Sequence, residues 1–164
     1  MKIPFLSILA IILSSTAMAD EAFLGYGLGV FNSAKQSSGE VKAFQLGYRD
    51  DLIDGFYWQY KLGFWGDGSG DKGRSSSGYA STGPGFRVDL NPIEIRTGWG
   101  IAAITSPDSY LGGRFPQFNG ELYMGVRDKH GNGIGFQYEH ISSAGLVTPN
   151  QGRDLVILQM SQRW

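Results

Sequence analysis

The chain has 164 residues, with no cysteine, 25 glycines and an aromatic content of 13%. The absence of cysteine excludes a disulfide framework, a thiolate metal site and a cysteine nucleophile. Lysine and arginine number 14 against 15 aspartate and glutamate residues, so the net charge gives no electrostatic basis for binding nucleic acid. Abundant glycine and aromatic residues, with only 18% charged residues, indicate one β-rich domain with many tight turns.

The first 19 residues have the pattern of a secretory signal peptide. Lys2 gives a short positive start, an apolar stretch covers Ile3–Leu13, and the small residues Ala17 and Ala19 mark a cleavage site before Asp20. The apolar stretch is too short for a membrane-anchor helix, which needs about 18 residues. We therefore expect cleavage after Ala19, export from the cytoplasm and a single mature domain over residues 20–164.

The mature chain shows no helical period, and polar and apolar residues alternate in eight runs separated by turn-rich segments. The predicted strands are Ala22–Phe31, Lys42–Tyr48, Phe56–Trp65, Ser77–Leu90, Ile93–Ile104, Gln117–Arg127, Gly133–Ser142 and Asp154–Trp164. An even number of strands with both termini on one side predicts an all-β, eight-stranded antiparallel barrel.

One face of most strands is apolar, and the direction of that face decides the class of barrel. In the third strand Trp58 and Leu62 share a face, and Lys61 lies on the other. A soluble lipocalin-like barrel would turn the large apolar side chains inwards, where eight strands leave little room. A transmembrane barrel turns them towards lipid and keeps small or paired polar side chains inside. The alternation, with the terminal aromatic Trp164, therefore favours an outer-membrane barrel.

The connections between strands agree with this orientation. With both termini in the periplasm, the predicted outer loops are Asn32–Val41, Gly66–Ser76, Thr105–Pro116 and Ser143–Arg153. The predicted inner turns are shorter: Arg49–Gly55, Leu90–Pro92 and Asp128–Asn132. Long outer loops and short inner turns are typical of barrels in the bacterial outer membrane, which is the location that we expect.

Several other patterns are assigned to the fold rather than to chemistry. The glycine-rich segment Gly25–Gly29 lacks the helix that follows a dinucleotide-binding loop. Asp67 and Asp71 lack the spacing of a calcium-binding loop. His130 lies in a tight inner turn, where we expect it only to be exposed. The sequence therefore implies no metal or cofactor. The inward charges are expected to form a paired network that fills the lumen, with a narrow pore as the alternative; they are Lys61, Arg87, Glu94, Arg96, Glu121 and Arg127.

Polar residues interrupt the outward apolar stripe at the end of the seventh strand. His140 and Ser142 share the parity of the apolar Phe136, and Asp154 shares the parity of Val156 in the eighth strand. Polar groups at membrane depth need partners. A hydroxyl, an imidazole and a carboxylate are also the parts of a nucleophilic acyl-transfer site. The alternative is that all three only face the lipid headgroups.

The same segment resembles the PagL family, the outer-membrane lipid A 3-O-deacylases. The family motif is H-x-S-N-A-G, then P-N-x-G, then an acidic residue two positions later. It is matched by His140–Gly145, Pro149–Gly152 and Asp154, and the strong part of the resemblance covers residues 138–164. The resemblance implies a nucleophile, a general base and an acidic partner at Ser142, His140 and Asp154. It implies oxyanion stabilisation by Asn150 and by backbone N–H groups of Ala144 and Gly145.

Two positions depart from the family pattern. Asp154 stands where the family usually has glutamate, so its shorter side chain must approach His140 more closely. Ser143 stands where the family has asparagine, which removes one amide from the loop. The resemblance predicts hydrolysis of the ester-linked acyl chain at the 3-position of lipopolysaccharide in the outer leaflet. Two alternatives remain: a non-enzymatic barrel of the adhesin or structural type, and a general outer-membrane phospholipase or esterase. The sequence does not decide between a monomer and a homodimer.

Overall fold

The chain folds into a closed barrel of eight antiparallel strands, as predicted. The computed structural model describes residues 20–31, 41–67, 76–107, 111–150 and 152–164; the predicted signal peptide, Asp71 and the side chain of Asp67 lie outside this part. The strands are β1 (Glu21–Phe31), β2 (Val41–Ile53), β3 (Phe56–Asp67), β4 (Ser77–Asp89), β5 (Ile93–Ile104), β6 (Gln117–Arg127), β7 (Asn132–Ser142) and β8 (Arg153–Arg163). Each pairs with the next, and β8 pairs with β1. Within the described ranges no helix is long and apolar enough to cross a membrane.

The outer wall is apolar and the interior is polar, which confirms the transmembrane class of barrel. Leu62, Leu122 and Phe136 are more than half exposed, whereas Lys61 and Gln137 are buried. A soluble barrel would reverse this distribution. Because closure pairs every strand on both sides, no strand edge is left to face lipid.

Charged side chains fill the half of the lumen nearest the termini. Glu21 accepts contacts from Arg49, Arg96 and Arg127 at 3.1, 2.6 and 2.9 Å. Further along the lumen, Lys61 Nζ lies 2.6 Å from a carboxylate oxygen of Glu121 and 2.6 Å from one of Glu139. The predicted inward charges therefore belong to a paired network. It has four further members that the sequence analysis did not list: Glu21, Arg49, Glu139 and Arg163.

An apolar cluster closes the other end of the barrel, which we call the outer end. Its members are Ala43, Trp65, Tyr79, Ile104, Leu111, Ile141, Leu155 and Ile157. Ile141 is fully buried although its neighbours His140 and Ser142 face outwards. The outer end of β7 is therefore anchored from the inside.

The inner turn between β2 and β3 is shorter than predicted. The sequence analysis ended the second strand at Tyr48 and assigned Arg49–Gly55 to a turn, whereas β2 continues to Ile53. Only Asp54 and Gly55 connect the strands, both with positive φ (48° and 84°), as a two-residue type I′ hairpin requires. Asp51 belongs to β2, because it pairs with Tyr57 of β3, and its carboxylate also contacts Arg87 of β4.

The inner turn after β6 matches the prediction. The Asp128 carboxylate accepts hydrogen bonds from the backbone N–H groups of His130 and Asn132 and from the Asn132 side chain. These bonds, led by the one from the Asn132 side chain, hold the pKa of Asp128 below its usual value. His130 is exposed in this turn, at the end of the barrel opposite His140.

Candidate active site

The strand register brings His140 and Asp154 together on the outer wall. They are direct cross-strand partners between β7 and β8, and both have the outward parity of the lipid-facing side chains. His140 Nδ1 lies 2.7 Å from Asp154 Oδ1. The His140 side chain is 42% exposed and that of Asp154 is 17% exposed, so the ring remains accessible while the carboxylate is largely covered.

A tyrosine that the sequence analysis did not assign shares this carboxylate. The Tyr138 hydroxyl donates to Asp154 Oδ1 at 2.5 Å, the same oxygen that faces His140. Tyr138 pairs with Val156, so it is a diagonal neighbour of Asp154, within reach of an aromatic side chain. The parity of Tyr138 with His140 was the available sequence signal, but only the register shows the contact.

Ser142 lies next to this pair on the same face of β7. It is two residues beyond His140, a spacing of about 6.8 Å along the strand, and it is partly buried at the outer end. Among the described residues, no hydrogen bond joins Ser142 to His140. The three residues predicted from parity therefore lie together, with the His140–Asp154 contact formed and Ser142 adjacent to it.

The loop after Ser142 has two exposed residues whose backbone N–H groups make no hydrogen bond within the described residues. Leu146 N donates to Ser143 O at 3.0 Å, and the two residues between them, Ala144 and Gly145, have φ values of 52° and 82°. Both are exposed. Within the part of the chain that the structure describes, no acceptor binds the N–H of either residue, so both can donate to a ligand.

Asn150 and Ser143 fix the shape of this loop. Asn150 Oδ1 accepts a hydrogen bond from the backbone N–H of Ser143 at 2.7 Å. The amide nitrogen of Asn150 is then the atom of this side chain that can donate to a ligand. The fully buried Ser143 donates from its hydroxyl to Val147 O at 3.1 Å. The serine that replaces the family asparagine therefore still orders the loop.

Gly152 packs directly against the histidine ring. Its φ is +77°, and a Cβ at this position would lie 2.5 Å from His140 Cε1 and 3.1 Å from Nε2. No real side chain tolerates such a contact without displacing the ring. The sequence analysis included Gly152 only as a motif position, and the structure gives it a steric role.

The segment before β6 supports the loop between β7 and β8. Leu111 forms an isolated bridge with Asn150, and Gly112 N donates to Pro149 O at 2.8 Å. The approach is close, because a Cβ on Gly112 would lie 2.3 Å from Thr148 O. The segment that carries Asn150 is therefore held against Leu111 and Gly112, and Leu111 belongs to the apolar cluster at the outer end.

Fold and site together define an eight-stranded transmembrane barrel with a hydroxyl, an imidazole and a carboxylate on its lipid-facing wall. The family model for lipid A 3-O-deacylase (PagL) matches residues 42–163. The chain belongs to this family, and the family and the barrel class place it in the outer membrane.

Solved structures of outer-membrane barrels share the fold. The crystal structure of the outer membrane enzyme PagL aligns with a TM-score of 0.71 and 20% identity, covering 88% of this chain and 99% of that one. Neisserial surface protein A aligns with a TM-score of 0.57 and 10% identity, covering 88% of this chain and 96% of that one. The Yersinia pestis outer membrane protein Ail in a phospholipid bilayer nanodisc aligns with a TM-score of 0.53 and 13% identity, covering 88% of this chain and 99% of that one. Comparison with curated proteins gave no match.

Proposed function

We propose that this protein is a lipid A 3-O-deacylase, which hydrolyses the ester-linked acyl chain at the 3-position of lipopolysaccharide. The observation that carries the proposal is the 2.7 Å contact between His140 Nδ1 and Asp154 Oδ1, beside Ser142 on the lipid-facing wall. A site on this wall suits a substrate that lies in the same leaflet. A site inside the filled lumen could not receive it.

In the proposed reaction Ser142 attacks the ester carbonyl carbon while its proton passes to His140 Nε2. Asp154 accepts a hydrogen bond from His140 Nδ1–H, which leaves Nε2 as the base and stabilises the imidazolium that forms. The carbon–oxygen bond to the sugar then breaks, and His140 returns the proton to the departing sugar oxygen. Water, activated by the same imidazole, releases the fatty acid from Ser142.

The oxyanion of each tetrahedral intermediate needs fixed donors at one side of Ser142. We assign this role to the Asn150 amide nitrogen and the free N–H groups of Ala144 and Gly145. The bond from Ser143 N to Asn150 Oδ1 supports the assignment, because it orients the Asn150 amide. Removing one such donor in other hydrolases costs about 10² to 10³ in rate.

The test is mass spectrometry of lipid A from cells whose lipopolysaccharide retains the 3-position chain. We expect the wild-type protein to reduce the mass of lipid A by one acyl chain and Ser142→Ala to leave it unchanged. Ser76→Ala, which alters an exposed serine just before β4 on the far side of the barrel, is the matched control and should act like the wild type. Both variants should retain the heat-modifiable gel migration of a closed barrel.

Other results would support the alternatives. Unchanged lipid A with the wild-type protein would favour a non-enzymatic barrel. Loss of chains from phospholipids instead would favour a general phospholipase. Equal deacylation by Ser142→Ala and the wild type would show that Ser142 is not the nucleophile.

A further inference from the structure

The Asp154 carboxylate lies on the lipid-facing wall and needs polar partners there. An outward position on a membrane barrel normally carries an apolar side chain, and a charged group at membrane depth is costly without hydrogen bonds. The next outward residues along β8 are Val156 and Leu158, and neither can bind a carboxylate. The donors to Asp154 among the described residues both come from β7: the His140 ring and the Tyr138 hydroxyl.

Both donors bind the same oxygen of Asp154. The Tyr138 hydroxyl donates to Oδ1 at 2.5 Å, and His140 Nδ1 lies 2.7 Å from Oδ1, whereas no group in the described part of the chain binds Oδ2. Rotation of the carboxylate about χ2 would therefore break the bond to Tyr138. Aspartate has little preference of its own at this torsion, which is broad and roughly two-fold. The tyrosine thus decides which carboxylate oxygen faces the imidazole.

The Tyr138 side chain lies along the seam between β7 and β8. Tyr138 is one residue pair closer to the inner end than the pair of His140 and Asp154, so its ring must lean towards the outer end to reach the carboxylate. The Tyr138 residue is 43% exposed, whereas the Asp154 side chain is only 17% exposed. Tyrosine suits this position because its ring is apolar and its hydroxyl is polar. The ring can face lipid while the hydroxyl binds the charge.

We propose that Tyr138 is a positioning residue that makes an aspartate sufficient at position 154. Aspartate has the shorter of the two acidic side chains, and the tyrosine fixes its carboxylate where Oδ1 meets His140 Nδ1. This inference rests on the proposed function, and it makes Tyr138 and Asp154 interdependent. A glutamate at position 154, which is one methylene longer, would compete with the tyrosine hydroxyl for the same space and would not need it.

The test is a double-mutant cycle on the initial rate of lipid A deacylation, at equal amounts of folded barrel. Tyr138→Phe should lower kcat by about tenfold with KM little changed, because one hydrogen bond to a charged group is lost. Asp154→Glu should also be slower than the wild type. The double variant should be no slower than Asp154→Glu, because removal of the hydroxyl gives the longer carboxylate room. Independent roles would instead multiply the two losses.

Tyr26→Phe is the matched control for the loss of a tyrosine hydroxyl. Tyr26 is an exposed, outward tyrosine on β1 that pairs with Leu158, and no hydrogen bond joins its hydroxyl to any described residue. This variant should resemble the wild type, and it should have no effect when combined with Asp154→Glu.

A second measurement does not depend on activity. The chain has two histidines, so NMR of the barrel with isotope-labelled histidine in detergent micelles, compared with His130→Gln, assigns the His140 Nδ1–H. This proton should be protected from exchange with water in the wild type. In Tyr138→Phe it should exchange at least about tenfold faster, because the carboxylate that accepts it is no longer fixed.

The two measurements separate this inference from the proposed function. Equal fractional losses from Tyr138→Phe with aspartate and with glutamate at position 154 would refute the interdependence, as would a similar loss in Tyr26→Phe. An unchanged exchange rate of the His140 Nδ1–H in Tyr138→Phe would refute the positioning role. A wild-type barrel that leaves lipid A intact would refute the proposed function, and the exchange rate would still decide whether Tyr138 positions the carboxylate.

Discussion

Replacing Asp154 with asparagine tests the charge in the proposed triad. The carboxylate contacts His140 at 2.7 Å and also accepts the Tyr138 hydroxyl. Asparagine has nearly the same shape, but it cannot stabilise an imidazolium, and its NH₂ group can hold the ring in the wrong tautomer. In the serine protease template this change costs about 10⁴ in kcat, equivalent to about 5.4 kcal/mol of transition-state stabilisation. We expect a loss of that order here.

Glutamate at the same position tests the departure from the family. The sequence analysis expected Asp154 to approach His140 more closely than a glutamate would. The structure agrees with this expectation, since the contact is already at hydrogen-bond distance. An added methylene must displace either the ring or the bond to Tyr138, and a misplacement of about 1 Å costs up to about 10² in rate. The expected order is wild type, then Asp154→Glu, then Asp154→Asn.

The assay is the initial rate of lipid A deacylation in mixed detergent micelles, at equal amounts of folded barrel determined from the heat-modifiable gel band. Asp54→Asn is the matched control, because Asp54 is an exposed turn residue at positive φ, where asparagine is well tolerated. Near-normal activity of Asp154→Asn would refute the assignment of the carboxylate. A rate for Asp154→Glu above that of the wild type would show that the 2.7 Å contact is not the productive one.

Three further predictions concern the supports of the site. Tyr138→Phe removes one hydrogen bond to a charged group, so kcat should fall by about tenfold with KM little changed, as steady-state kinetics would show; an unchanged kcat would refute a positioning role. Gly152→Ala places a Cβ 2.5 Å from the His140 ring and should lower the deacylation rate by about 10² while the gel band stays that of a folded barrel. Lys61→Met leaves two buried glutamates unpaired, and should destabilise the barrel by about 3–5 kcal/mol, measured as a lower temperature of the gel-shift transition than for the exposed-site variant Lys129→Met.

The sequence was sufficient for the number and order of the strands and for the face of each candidate residue, because a two-residue period is a local property. It was insufficient for the contacts between strands. A shift of β8 by two residues would keep Asp154 on the outer face but remove it from His140. Parity alone therefore could not distinguish a triad from three separate polar groups, and it could not assign Tyr138. The extension of β2 was also hidden, since aspartate is a common turn residue and only the register with β3 shows that Asp51 pairs with Tyr57.

The two faces of β7 explain how a site exposed to lipid can stay ordered. The inward residue beside His140 is Glu139, which is fully buried, lies 2.6 Å from Lys61 Nζ and accepts the hydroxyl of Tyr79 at 3.1 Å. Each of these bonds fixes the backbone that also carries the outward imidazole. Because side chains alternate along a strand, the ion pairs that fill the lumen hold the histidine in place without touching it. A carboxylate one methylene shorter than the usual glutamate can then suffice, since β7 and β8 bring His140 and Asp154 into direct register and the filled interior keeps them there.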